Sequence, residues 1–145
     1  MNQALTNEIR LYEQETSLRI LVAEDSSDMR RLLALILQRD GHEVVTVKDG
    51  GELLDALAES WMHPDDPPFD LILAEQKLPG LPGLLALAGL RSHDRVTSFI
   101  LITHDAAVAD RAQRLGAVVL EHPFNIGAIR AAVRRSIEET ASGAA

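Results

Sequence analysis

At 145 residues, 46% of them apolar and 25% charged, the chain has room for one domain with a full core. It contains no cysteine, which excludes disulfides and thiolate metal sites, and no window of the ~20 apolar residues that a membrane span requires. The formal net charge of −8 opposes sequence-independent binding to phosphate backbones, which takes clustered Lys and Arg.

Residues 1–17 have no apolar core like that of a signal peptide, so the cytoplasm is the default compartment. They form an N-terminal extension. Leu5, Ile9 and Tyr12 are spaced for a short helix, and a frayed tail is the plainer reading. From residue 18 an alternation begins. The apolar run "LRILVA" (18–23) reads as a strand covered on both faces. Ser26 or Ser27 can cap the helix that follows, with Met29, Leu32, Leu33, Ile36 and Leu37 as its apolar residues and Gly41 as its stop. "HEVVTV" (42–47) is the second strand, and Gly51 to Ser60 the second helix. The proline-rich loop "WMHPDDPPF" (61–69) holds the only tryptophan; it covers the sheet edge or meets a partner.

"DLILA" (70–74) is the third strand, ending in the carboxylate of Glu75. Pro82 to Arg91 is a helix opened by proline. "SFILIT" (98–103) is the fourth strand, and Asp105 to Leu115 a helix capped by Asp105 and stopped by Gly116. "AVVL" (117–120) is the fifth strand. Asn125 caps a last helix with Ile126, Ile129, Val133 and Ile137 in one stripe, leaving 141–145 as a tail. The one basic cluster, Arg130, Arg134 and Arg135, falls in the last turns of that helix, where cations suit the helix dipole, and reads as structural. Five strands alternating with five helices predict an α/β fold, a parallel sheet covered on both faces, with one domain over 18–140.

In such folds the working groups gather at the carboxyl ends of the strands. Here those ends carry Glu24 and Asp25 after the first, Glu75 after the third, Thr103 after the fourth, and "EHPF" with His122 after the fifth. Converging carboxylates repel unless a cation, a proton or water answers them, and Mg²⁺ is the usual oxygen-loving ion. Taken singly, such acids serve as helix caps. His42, His63, His93 and His104 show no ligand spacing among themselves, and zinc at His122 is a weak alternative.

The segments "LRILVAEDSSDMRRLL", "DLILAEQKLPGLPG", "FILITHDA" and "GAVVLEHPF" resemble, in order and spacing, the signature segments of response-regulator receiver domains. The resemblance covers roughly 18–139 and implies the flavodoxin-like sheet order 2-1-3-4-5. It implies a signalling module, not an enzyme. Glu24 and Asp25 match the acidic pair that holds Mg²⁺, so the implied metal set is Glu24, Asp25 and Glu75. Glu75 matches the phosphoacceptor aspartate, Thr103 the switch hydroxyl, His122 the lysine that pairs with the phosphoryl group, and Val119 the switch aromatic. Lys77 matches a position at the mouth of the site, which His104 and Asp105 also flank.

Three positions depart from the family: Glu75 for Asp, His122 for Lys, and Val119 for Phe or Tyr. Glu75 is one methylene longer than aspartate. Phosphoryl transfer depends on position, and a misplacement of about 1 Å can cost ~100-fold. The longer side chain also carries charge toward the phosphoryl position and so imitates the phosphorylated state in part. His122 removes a permanent cation, since imidazole titrates near neutrality. A Glu75–His122 pair is expected if the shorter ring reaches. Mg²⁺ binding is weakened or lost.

The reading is a receiver in two-component or phosphorelay signalling that acts by protein–protein recognition, as a stand-alone regulator or an excised module. Its partners are a sensor kinase, a phosphotransfer protein, an output protein or a second copy, and no membrane or nucleic acid. The surface of the fourth helix, fifth strand and fifth helix, with Ala106, Ala107, Asp110, Arg111, Arg114 and Arg130, is the expected contact. The alternative keeps Mg²⁺ and slow phosphorylation. A module binding a nucleotide or flavin phosphate is disfavoured, because the first strand–helix turn, "AEDSSDM", is acidic.

Overall fold

A computed structural model describes residues 17–94 and 96–144, with side chains through Glu139 apart from Arg95. The reading of residues 1–16 therefore lies outside the described residues. In chain order the elements are β1 (Arg19–Ala23), α1 (Ser27–Arg39), β2 (Glu43–Val47), α2 (Gly50–Met62), β3 (Leu71–Glu75), α3 (Gly83–Arg91), β4 (Ser98–Ile102), α4 (Ala106–Arg114), β5 (Val118–Leu120) and α5 (Ile126–Ala144). The strands form one parallel sheet in the order β2-β1-β3-β4-β5. The expected fold class and strand order are what the structure has.

Residues of β3 and β4 and most of β1 and β5 have a layer to enter on either face, which is why these strands read as continuous apolar runs, whereas β2 at the edge exposes Glu43 and Thr46. Leu21, Ile72, Ala74, Phe99 and Leu101 pack with Leu53, Leu57, Leu87 and Ala112 beneath α2, α3 and α4. Ile20, Val22, Leu71, Leu73, Ile100 and Ile102 pack on the other face with Leu33, Leu37, Ile129 and Val133 of α1 and α5.

The predicted caps are in place. Ser26 Oγ accepts from Met29 N at 3.3 Å, Asp105 Oδ1 from Ala107 N and Val108 N at 2.9 and 3.0 Å, and Asn125 Oδ1 from Ala128 N at 2.8 Å. Gly41 and Gly116, the two predicted stops, have φ of +91° and +80°, a region that side chains with a Cβ avoid. His42 serves the entry to β1: its Nδ1 accepts from Leu18 N at 3.1 Å, and burial lowers its pKa.

Two boundaries differ from expectation. α2 begins at Gly50, because Asp49 caps it through Glu52 N at 2.7 Å, and runs to Met62, because nothing stops it before Pro64. Trp61 therefore sits on a helix and not in the loop. Of the rest of that loop, residues 63–68 are exposed and only Phe69 is buried; Arg19 lies 4.3 Å over its ring, and Arg19 Nη1 donates to Pro67 O at 2.7 Å.

α5 continues to Ala144, since "EETASGA" holds no proline to stop it. Arg130, Arg134 and Arg135 thus lie in the body of the helix, which overturns their placement at its last turns. Arg130 makes a two-pronged pair with Asp40, both distances 2.9 Å, and Arg135 reaches Glu139 at 3.8 Å. Arg130 alone of the three ties α5 to the end of α1. Among the described residues no helix is long and apolar enough to cross a membrane.

Candidate functional site

β1, β3 and β4 are adjacent, so their carboxyl ends bring Glu24, Glu75 and Thr103 to one rim. Glu75 is the last residue of β3 and pairs in register with Ile102. Its side chain is 12% exposed, and His122 Nε2–H donates to its Oε2 at 2.9 Å. The expected reach of the imidazole is therefore met. Phe124 holds the ring from one side, with centroids 4.9 Å apart, and the His122–Pro123 bond is cis.

Glu24 is buried, at 4% exposure. Its Oε1 accepts from Ser26 N at 3.2 Å, while its Oε2 is buried without a hydrogen-bond partner. Burial lifts this carboxyl to about 7; the Ser26 N–H opposes the shift, and the charges of Glu75 and Asp25 add to it. A proton on Glu24 would give the orphaned Oε2 something to donate toward Glu75. Asp25 is exposed.

Mg²⁺, implied by the resemblance, asks for several oxygens at once in a nearly rigid geometry. Glu24 Oε2 has the right chemistry for a cation. Glu75, however, is engaged by His122, and among the described residues no three His, Cys, Asp or Glu side chains are placed to hold a metal. As arranged, these side chains do not fit the ion.

On the other side of β3 a cleft of about 500 Å³ is lined by Glu75, Lys77, Thr103, His104 and Asp105, among others. Thr103 is buried, and its Oγ1 accepts from Asp105 N at 3.1 Å. Lys77 is exposed in the cleft and forms no ion pair with the described acids. Glu24, Asp25 and His122 do not line this space. Val119 is half-buried and packs against the α2–α4 side of the core.

Three residues near the site escaped the sequence reading. Arg30, one turn into α1, donates to the backbone carbonyls of Glu24 and Asp25 at 2.7 and 3.3 Å, placing a cation behind the acidic pair. Gln76 caps α3 from outside: its Oε1 accepts from Leu84 N at 2.7 Å, and its carbonyl from Gly83 N at 3.0 Å. Proline at the cap position supplies no side-chain acceptor, and that lack was a legible signal that another group must serve. Phe124 followed the "HP" pair in plain view, but only the fold puts its ring against His122.

A family model described as the response regulator receiver domain matches residues 20–134. The uncharacterized transcriptional regulatory protein YkoG of Bacillus subtilis is 32% identical over 123 residues, 83% of this chain and 51% of that protein. The transcriptional regulatory protein TcrA of Mycobacterium tuberculosis is 34% identical over 122 residues, 82% of this chain and 46% of that protein. The chain thus spans about half the length of these two relatives. Among solved structures, a response regulator receiver domain protein from Clostridium thermocellum superposes with a TM-score of 0.74 at 25% identity, covering 83% of this chain and 94% of that one.

Proposed function

This chain belongs to the response regulator receiver domain family, and from that premise we propose that it is an atypical receiver, one that signals mainly by protein–protein recognition with Glu75 in place of the phosphoacceptor. The observation that carries the reading is the 2.9 Å contact between Glu75 Oε2 and His122 Nε2. In a receiver that cycles, the acceptor oxygen must be free to attack and a cation free to receive the phosphoryl group. Here the two groups in those positions are spent on each other. The longer carboxylate and the shorter base meet half-way and fill the space between them.

The partners are the proteins that receivers of two-component systems meet: a sensor kinase, a phosphotransfer protein or an output protein. Recognition through a fixed surface needs no turnover, and Val119 offers no ring to report movement of Thr103. Lys77 and His104, at the mouth of the cleft, stand where a partner's side chain would enter.

Incubation with Mg²⁺ and a small phosphodonor, read by intact mass, tests this. The chain is expected to stay unmodified, and Glu75→Asp combined with His122→Lys to gain one phosphoryl group. A stoichiometric mass gain on the unaltered chain, lost in Glu75→Gln, would mean instead a Mg²⁺-dependent receiver that is still phosphorylated, slowly, at Glu75.

A further inference from the structure

We propose that the seam between α2 and α3 is a docking surface for a basic amphipathic helix of a partner protein. This goes beyond the reading of the site and does not depend on how Glu75 is used. The two helices lie side by side in a fixed register. At one end Gly50 meets Leu81, two residues before α3: a Cβ on Gly50 would fall 2.4 Å from Leu81 Cβ. At the other end the rings of Trp61 and His93 are 5.6 Å apart. Between these points Leu54, Ala58 and Trp61 recur at i, i+4 and i+7 and so share one flank of α2. The contact of Trp61 with His93, two residues beyond the end of α3, puts the Trp61 end of this flank on the α3 side.

Both helices expose apolar side chains. Leu54, Trp61 and Leu85 are 44, 48 and 55% exposed, and Met62 is 72% exposed. On α3 the exposed positions are Leu85, Ala88 and Gly89, and no charge occurs from Gly83 to Leu90. A surface helix normally turns a charged face to water. Gly89 answers no internal demand, since a Cβ there would meet nothing within 4 Å; it leaves room for another backbone to approach from outside. The seam ends in a groove of about 210 Å³, lined in part by Trp61, Pro64, Pro68, Phe69 and Leu90.

The rim decides the occupant. Asp55, Glu59, Asp65 and Asp66 are exposed around the seam, and Asp66 and Asp94 reach the groove. The described cations nearby are already engaged. Lys48 pairs with Glu52 at 3.9 Å, and Arg91 turns its guanidinium onto the carbonyls of Leu115 and Thr97. Arg95 lies outside the described residues. An acidic rim around an apolar floor is complementary to a helix with apolar anchors flanked by Lys and Arg. A second copy of this chain would bring the same acids face to face. Residues 1–16, with three glutamates and one arginine, are acidic as well.

Trp61 is the only tryptophan, so its emission reports on the seam without a label. The probe is a synthetic leucine–lysine amphipathic helix of about 18 residues, five turns long, with a leucine–glutamate helix as its charge-inverted control. Titrated into the whole chain, the leucine–lysine helix should give a saturable blue shift and the control none. Leu54→Gln with Leu85→Gln, and separately Asp55→Lys, should weaken binding at least about tenfold. Leu32→Gln, on α1 across the sheet, should bind as the unaltered chain does. Equal binding by the seam variants, or amide shifts that map to another face, would overturn the proposal. So would self-association of the free chain that Leu54→Gln abolishes, which gives the seam to a second copy. A shift of Trp61 emission in Leu5→Ser with Ile9→Ser and no peptide would overturn it too, in favour of the chain's own N-terminal segment.

Discussion

His122 Nε2 lies 2.9 Å from Glu75 Oε2, although the two residues are 47 positions apart in the chain. β3 and β5 are not neighbours, so the loop after β5 must reach over β4 to make this contact. Removing one partner exposes what the pair does. His122→Ala should cost about 1 kcal/mol, because Glu75 would then face Glu24 with no donor beside it; the half-exposed imidazole keeps the figure modest. In a double-mutant cycle with Glu75→Gln, denaturant unfolding should return a coupling of about 1 kcal/mol. A coupling under about 0.3 kcal/mol would show the contact to be idle.

Glu24 should make stability depend on pH in an unusual direction. Its folded pKa, about 7, stands above the ordinary carboxyl value of 4.5. Between those values the folded state holds a proton that the unfolded state has released. The contribution is therefore complete below pH 4.5 and is lost as pH rises through 7. Its size is up to about 3 kcal/mol. Glu24→Gln keeps the shape and can still donate toward Glu75, so it should flatten the loss between pH 5 and 8. Melting curves across that range that stay parallel for both proteins would contradict the assignment.

Two adjacent glycines should respond oppositely to alanine. A Cβ on Gly50 would strike Leu81 Cβ and Leu81 O at 2.4 Å, while one on Gly51 would meet only Asp49 Oδ1 at 3.4 Å. Gly50→Ala must push apart the start of α2 and the loop after β3, and should cost about 2 kcal/mol or more. Gly51→Ala, in a helical first turn, should be neutral or slightly stabilising. Similar unfolding midpoints for the two variants would refute the close approach.

Arg91 should prove a structural arginine that lysine cannot replace. Its Nε donates to Leu115 O at 2.7 Å and its Nη1 to Thr97 O at 2.8 Å, joining the end of α3 to the end of α4 and to the start of β4. Burial lowers its pKa and Asp94 opposes the shift. A lysine ammonium cannot serve both carbonyls in that fork geometry. Arg91→Lys should cost about 1–2 kcal/mol in chemical denaturation, with Arg91→Met at least as costly. A lysine variant as stable as the parent would show that the fork is not needed.

Much of the molecule was legible before folding. The apolar runs gave five strands, because a parallel strand buried on both faces has no polar positions to hide it. Ser26, Asp105 and Asn125 announced their helices, since a cap acts within three residues of its own chain. Errors fell where local signals are weak. "DGGE" is a cap followed by a glutamate three residues on, and Glu52 Oε1 accepts from Lys48 N, one residue before the cap, at 3.1 Å. The end of α5 was misjudged because the apolar stripe stops at Ile137 and the helix does not. The stripe records packing against the sheet, and a helix can outrun what it packs on.

By itself the sequence determined which groups are available at the rim: a glutamate at the end of β3, a histidine after β5, and a valine within β5. These are chemical identities, and no folding can alter them. Tertiary structure alone decided what they do to one another. It turned His122 onto Glu75, left Glu24 Oε2 buried without a hydrogen-bond partner among the described residues, set Arg30 behind the acidic pair, and brought Trp61 against His93 beyond the end of α3. The reason is range. Caps, turns and strand periods depend on residues a few positions apart, whereas charge pairing and desolvation depend on distance through space, and that distance exists only once the sheet has set the strand ends side by side.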